Sequence, residues 1–177
     1  MLVVAATQRE ADCAVGVESF VCGVGPVEAA LSVAWRLGEE LPQAVLHIGL
    51  AGGRGFSDVE LVLGSEAVYA DAASPSLVPS RVEADPSLLA EVRGVLPGVR
   101  VAPIATTARV DGALDWDVEA MEGFAVLSAC HAAGVPAVEL RVLVNDPTES
   151  DRSKWRMDEG LEVLRDVVPL LVEALRA

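Results

Sequence analysis

Short apolar runs alternate with longer stretches of helical spacing along this chain, and that alternation leaves few ways to fold it. The runs fall at about 1–6, 18–23, 43–49, 60–69, 99–107 and 136–144, each bounded by turn-forming residues. Between them, Pro26 to Glu40 places Pro at a first helical position, Val27, Ala30, Leu31, Ala34 and Leu37 at helical spacing, and Pro42 as a stop. Pro86 to Val95, Met121 to Ala133 and Asp158 to Arg176 read as further helices, and Pro169 predicts a kink or two segments in the last. Apolar strands joined by helices belong to a sheet that is covered on both faces. The expected fold is therefore α/β, a single domain over residues 1–177 with a central mixed, largely parallel sheet flanked by helices.

Composition narrows the function classes. Hydrophobic residues make up 52% of the 177 positions but aromatics only 4%, so the core must be built from Val, Leu and Ala. Thirteen basic residues against 27 acidic ones give a net charge of -14, which argues against nucleic-acid and anionic-membrane partners. No apolar run has the length of a membrane span, and Met1 to Ala6 reads as a strand instead of a leader, so a cytoplasmic protein is expected. Cys13, Cys22 and Cys130 are odd in number and lack CxxC spacing, so neither a disulfide framework nor a zinc site is indicated. Adjacent helical positions diverge by about 100°, so Cys130 and His131 cannot face each other as a dyad. His47, inside an apolar run, reads as structural.

The chemistry-bearing residues lie at the ends of these runs. Val118 to Phe124 carries Glu122 into a helix of small residues, where close packing obliges a carboxylate to find partners. Glu139 to Asp146 is a buried strand that ends in two polar side chains, Asn145 and Asp146. Glu10, in the loop Thr7-Gln8-Arg9-Glu10, follows the first strand and lies near the carboxyl edge of the sheet, where ligands sit in α/β folds. Gly23-Val24-Gly25-Pro26-Val27-Glu28 begins like a phosphate cradle, but Pro26 lacks an amide hydrogen and Glu28 would repel a pyrophosphate, so a tight strand-to-helix turn is the better reading. Gly49-Leu50-Ala51-Gly52-Gly53, after a strand, suits either a ligand-hugging backbone or a sharp turn. Polar loops are expected at 70–81 and 147–154.

Taken in order, Ala5 to Glu10, Gly23 to Ala30, Gly49 to Gly53, Met121-Glu122-Gly123 and Arg141 to Asn145 resemble the nucleoside phosphorylase and nucleosidase superfamily over nearly the whole chain. Within it the chain looks most like the futalosine hydrolases of the menaquinone pathway, because Asn145 stands at the purine-reading position and Asp151 to Trp155 resembles the segment that follows it there. The resemblance implies release of hypoxanthine by hydrolysis of an N-glycosidic bond, without metal or cofactor. Glu10 would activate water, Glu122 would bond the ribose hydroxyls, and Asn145 would read the base. Gly52, Met121, Phe124, Asp146 and Trp155 would line the substrate site. A small-molecule nucleoside and a second copy of the chain are the implied partners. Alternatives are a methylthioadenosine/S-adenosylhomocysteine nucleosidase, a purine nucleoside phosphorylase, and a non-catalytic nucleoside-binding relative. Related adenine-specific enzymes carry an aspartate at the base-reading position, so a one-residue slip from Asn145 to Asp146 would change the substrate. The segment from Glu10 to Gly23 is shorter than the family pattern, which puts part of the pocket rim in question.

Overall fold

A computed structural model describes the whole chain except Ser57, Ala73, Pro75, Leu114, Arg176 and Ala177. Two positions of the expected 70–81 loop and the end of the expected last helix, Arg176, thus lie outside the described residues. The strands are β1 (Leu2–Ala5), β2 (Ser19–Val21), β3 (Val45–Gly53), β4 (Glu60–Tyr69), β5 (Arg81–Glu83), β6 (Arg100–Thr106), β7 (Val118–Ala120) and β8 (Ala137–Asn145). The helices are α1 (Gln8–Ala11), α2 (Pro26–Glu39), α3 (Pro86–Val95), α4 (Gly123–Ala133) and α5 (Met157–Ala174).

The sheet is mixed and largely parallel. β1 pairs in parallel with β2 and β3, β3 with β8, and β6 with both β4 and β7. β4 runs antiparallel to β5 and β8, and β7 antiparallel to β3. The circuit β3-β8-β4-β6-β7 therefore returns to β3, and β1 and β2 extend from it as an edge. One face packs against α1, α3 and α5 through Leu46, Ile48, Leu140, Leu164 and Leu171. The opposite face packs against α2 and α4 through Leu2, Val4, Val33, Val126 and Leu127.

Several elements differ from the sequence reading for physical reasons. Gly49 to Gly53 does not follow a strand but continues β3, because pairing with β8 and β7 holds that backbone extended. β5 and β7 span three residues each, too short to show a periodicity. Thr7 to Glu10 is not a loop. Thr7 caps α1 in a capping box, with Glu10 bonding back to the cap. The buried face of α2 is Ala29, Val33 and Leu37, whereas Val27, Leu31 and Trp35 point outward. Helical spacing identified an apolar stripe there, but two such stripes exist on this helix and only packing against α4 selects one. α4 begins at Gly123, with Glu122 as its cap, and ends on Gly134 in the left-handed conformation. α5 continues through Pro169 as one helix with Pro169 inside it. Proline there removes the amide that would bond the carbonyl of exposed Arg165.

Candidate active site

The carboxyl ends of β1, β3 and β8, the end of β7 and the start of α4 converge on a mostly apolar cavity of about 220 Å³. Glu10, Gly52, Met121, Glu122, Asn145 and Trp155 all line it. Two further expected residues are not among its lining. Phe124 turns away and stacks on Tyr69, with ring centroids 5.3 Å apart. Asp146 accepts hydrogen bonds from the Thr148 amide at 2.9 Å and its hydroxyl at 2.6 Å, which hold its carboxyl below the usual range. The end of the strand accounts for the choice between neighbours: Asn145 closes β8 and lines the cavity, and Asp146 opens the turn beyond it.

Glu10 is buried, and its hydrogen bonds are nearly complete. One carboxylate oxygen accepts from the Leu50 amide at 2.9 Å, and the other from the Thr7 amide at 3.0 Å and hydroxyl at 2.7 Å. A carboxylate offers about four lone-pair sites, so about one remains for a further donor. Glu122 has more to spare. Its Oε1 accepts from the Gly25 amide at 3.0 Å and its Oε2 from Arg141 Nη2 at 3.3 Å, leaving about one site on each oxygen. The Gly23 to Gly25 turn thus serves the cavity directly. Gly23 and Gly25 have φ of 85° and 93°, which aim the Gly25 amide at Glu122, and Val24 between them lines the cavity.

Four residues of this region carried no role in the sequence reading. Arg141, Glu139 and His47 lie beneath the cavity, each fully buried or nearly so. Arg141 Nε donates to Glu139 Oε1 at 2.7 Å, and Arg141 Nη2 also contacts His47 Nε2. Burial opposes the charge on Arg141, but Glu139, Glu122 and Glu10 hold the guanidinium protonated above its ordinary value. Burial pushes the Glu139 carboxyl up, and Arg141 opposes that rise. Burial, reinforced by Arg141, keeps His47 well below the ordinary imidazole value, so the ring is neutral. The fourth is Glu119, a cavity-lining residue whose carboxylate accepts from the Asp111 amide at 2.6 Å and the Ala113 amide at 3.1 Å. A signal for the ion pair did exist: two opposite charges, two positions apart on one strand face, inside an otherwise apolar run.

A sequence profile described as the phosphorylase superfamily matches residues 14–176. The chain belongs to that superfamily. A futalosine hydrolase of Thermus thermophilus is 34% identical over 180 residues, covering 85% of this chain and 79% of that protein. A futalosine hydrolase of Streptomyces coelicolor is 42% identical over 88 residues, a stretch that covers 47% of this chain but only 36% of that protein. Among solved structures, a futalosine hydrolase mutant of Helicobacter pylori superposes with a TM-score of 0.86 at 16% identity, covering 97% of each chain, and so shares the fold. Among the described residues of this superfamily member, no helix is long and apolar enough to cross a membrane.

Proposed function

We propose that this chain is a futalosine hydrolase, cleaving the N-glycosidic bond with water and releasing hypoxanthine. The observation that carries this reading is the meeting of Glu10, Glu122 and Asn145 on one cavity, together with its similarity to the futalosine hydrolases. Each residue has a physical task. Bond cleavage develops positive charge on the sugar and negative charge on the base, so the site must stabilise both. The two free acceptor sites on Glu122 match a pair of ribose hydroxyls, and its charge favours an oxocarbenium-like sugar. The single remaining site on Glu10 suits one water. The Asn145 carboxamide both donates and accepts, which fits N7 and O6 of a 6-oxopurine, whereas adenine would call for an acid at N7.

Water is favoured over phosphate as the nucleophile. Arg9 is the cation among the described lining residues, and it is engaged with Asp158 at 2.6 Å, so no arginine cluster awaits an anion. The chain acts as a homo-oligomer in the cytoplasm. Supporting assembly, Val27, Leu31 and Trp35 form an exposed apolar stripe one turn apart on α2, contiguous with Val24 at the cavity. Incubation with futalosine, aminodeoxyfutalosine, inosine and methylthioadenosine, with and without phosphate, followed by chromatography, tests the function. Hypoxanthine from futalosine without phosphate is the expected result. Phosphate-dependent release, or adenine from methylthioadenosine alone, would overturn it.

A further inference from the structure

The ion pair beneath the cavity is poorly explained by stability. In the parallel register of β3 and β8, His47 stands opposite Glu139 and Gly49 opposite Arg141, so all four positions share one sheet face. Side chains have been given up to make room there. A Cβ on Gly49 would overlap Arg141 Nη1, one on Gly123 would overlap the Glu139 carboxylate, and one on Gly64 would lie 3.4 Å from Glu139 Cβ. Within this space Glu139 is wholly buried and its Oε2 has no hydrogen-bond partner. Buried ion pairs rarely outperform apolar residues of the same volume, and an unpaired buried oxygen makes this one costlier still.

What the arrangement does provide is direction. The Nε bond to Glu139 fixes the guanidinium plane, and with it the directions of the two hydrogens on Nη2. One meets Glu122 Oε2, and the other meets His47 Nε2. His47 can accept it because Nδ1 is committed as donor to the Val4 carbonyl, an acceptor only, at 3.0 Å. The Glu122 carboxylate, which lines the cavity, is then held by one donor on each oxygen, the Gly25 amide on Oε1 and Arg141 on Oε2.

We propose that Glu139 is a positioning residue for Glu122, acting through Arg141 and never touching the substrate. This rests on the functional reading given above, in which Glu122 faces the sugar. Glu139→Gln keeps the volume and one acceptor for Nε but removes the charge that steers the guanidinium. Arg141 then turns toward Glu122 and neutralises more of its field at the sugar. A charge-assisted bond is about twice as strong as a neutral one, so the expected loss is roughly tenfold in kcat for futalosine. KM stays within about twofold, because no lining atom has changed.

The experiment pairs steady-state kinetics with thermal unfolding for wild type, Glu139→Gln and Glu139→Asp, and follows the Arg141 Nε and Nη protons by NMR in each. Glu139→Asp keeps the charge but loses reach, so its kcat is expected to fall further than that of the Gln variant. Arg141 Nη proton shifts that move in both variants while the fold persists complete the expected pattern. Unchanged kcat in both variants overturns the proposal, as does a loss of kcat, KM and thermal midpoint together with the Nη signals intact. Absence of turnover in wild type refutes the functional reading instead, and the Nη signals then decide whether Glu139 sets Arg141.

Discussion

Replacing Glu122 by Gln removes one charge and turns one acceptor oxygen into a donor, while leaving the shape of the side chain unchanged. Both carboxylate oxygens now accept, Oε1 from the Gly25 amide and Oε2 from Arg141 Nη2. Whichever way the Gln amide is turned, its NH2 faces a donor, so one bond is lost and a donor–donor contact replaces it. Arg141 keeps Glu139, so the buried cation is not stranded. The stability cost is therefore that of one charged hydrogen bond, about 1.5–3 kcal/mol. Activity suffers more. Loss of one preorganised electrostatic contact at a developing charge typically costs about 10²–10³ in kcat, equivalent to about 2.7–4 kcal/mol. The assay is hypoxanthine release from futalosine, with urea unfolding in parallel to show that the variant is folded at the assay temperature. A folded variant with wild-type kcat would refute the assignment of Glu122 to the sugar.

Further outcomes follow from the same geometry. Asn145→Asp should shift preference from 6-oxopurine toward adenine nucleosides, read as the ratio of kcat/KM for futalosine and methylthioadenosine; an unchanged ratio would mean that another group reads the base. Gly49→Ala places a methyl group in overlap with Arg141 Nη1 and 2.8 Å from Glu10 Oε1. Both groups are anchored, so an overpacking cost of about 1–3 kcal/mol is expected in urea unfolding, with loss of turnover. His47 titrates at 6.5 when unfolded and well below that when folded, so the unfolded chain takes up a proton that the native state refuses. Its contribution to stability is full above pH 6.5 and declines as pH falls below it, by up to about 1.4 kcal/mol per pH unit. Glu139, raised in the fold, contributes in the opposite sense, so the quantity to measure is the difference between wild type and His47→Gln. The advantage of wild type over the variant should shrink as pH falls below 6.5, and a constant difference would contradict a neutral buried ring.

The alternation of apolar runs and helical spacing carried the architecture, because each run is long enough to report its own burial. It did not reveal β5 or β7, whose three residues are held by neighbours instead of by propensity. Nor did it select the face of α2, where Ala29, Val33 and Leu37 are buried and the more apolar Val27, Leu31 and Trp35 are not. At the site, polar residues closing apolar strands and a carboxylate entering a small-residue helix marked Asn145 and Glu122 as residues needing partners. Glu10 could be placed only near the sheet edge, and its burial came from the capping box on α1 and the Leu50 amide, 40 positions away.

Sequence by itself determined the longer strands and helices, the apolar core, and the polar side chains that the strand ends deliver. Tertiary structure decided which of those side chains meet. The Gly25 amide reaches Glu122 across 97 positions and Arg141 reaches His47 across 94, distances at which local periodicity carries no information. Those contacts depend on the register of β3 against β8 and on glycines at 49 and 123 whose missing side chains leave space for a guanidinium and a carboxylate. Propensity is a property of neighbours in sequence, whereas the site is a property of neighbours in space.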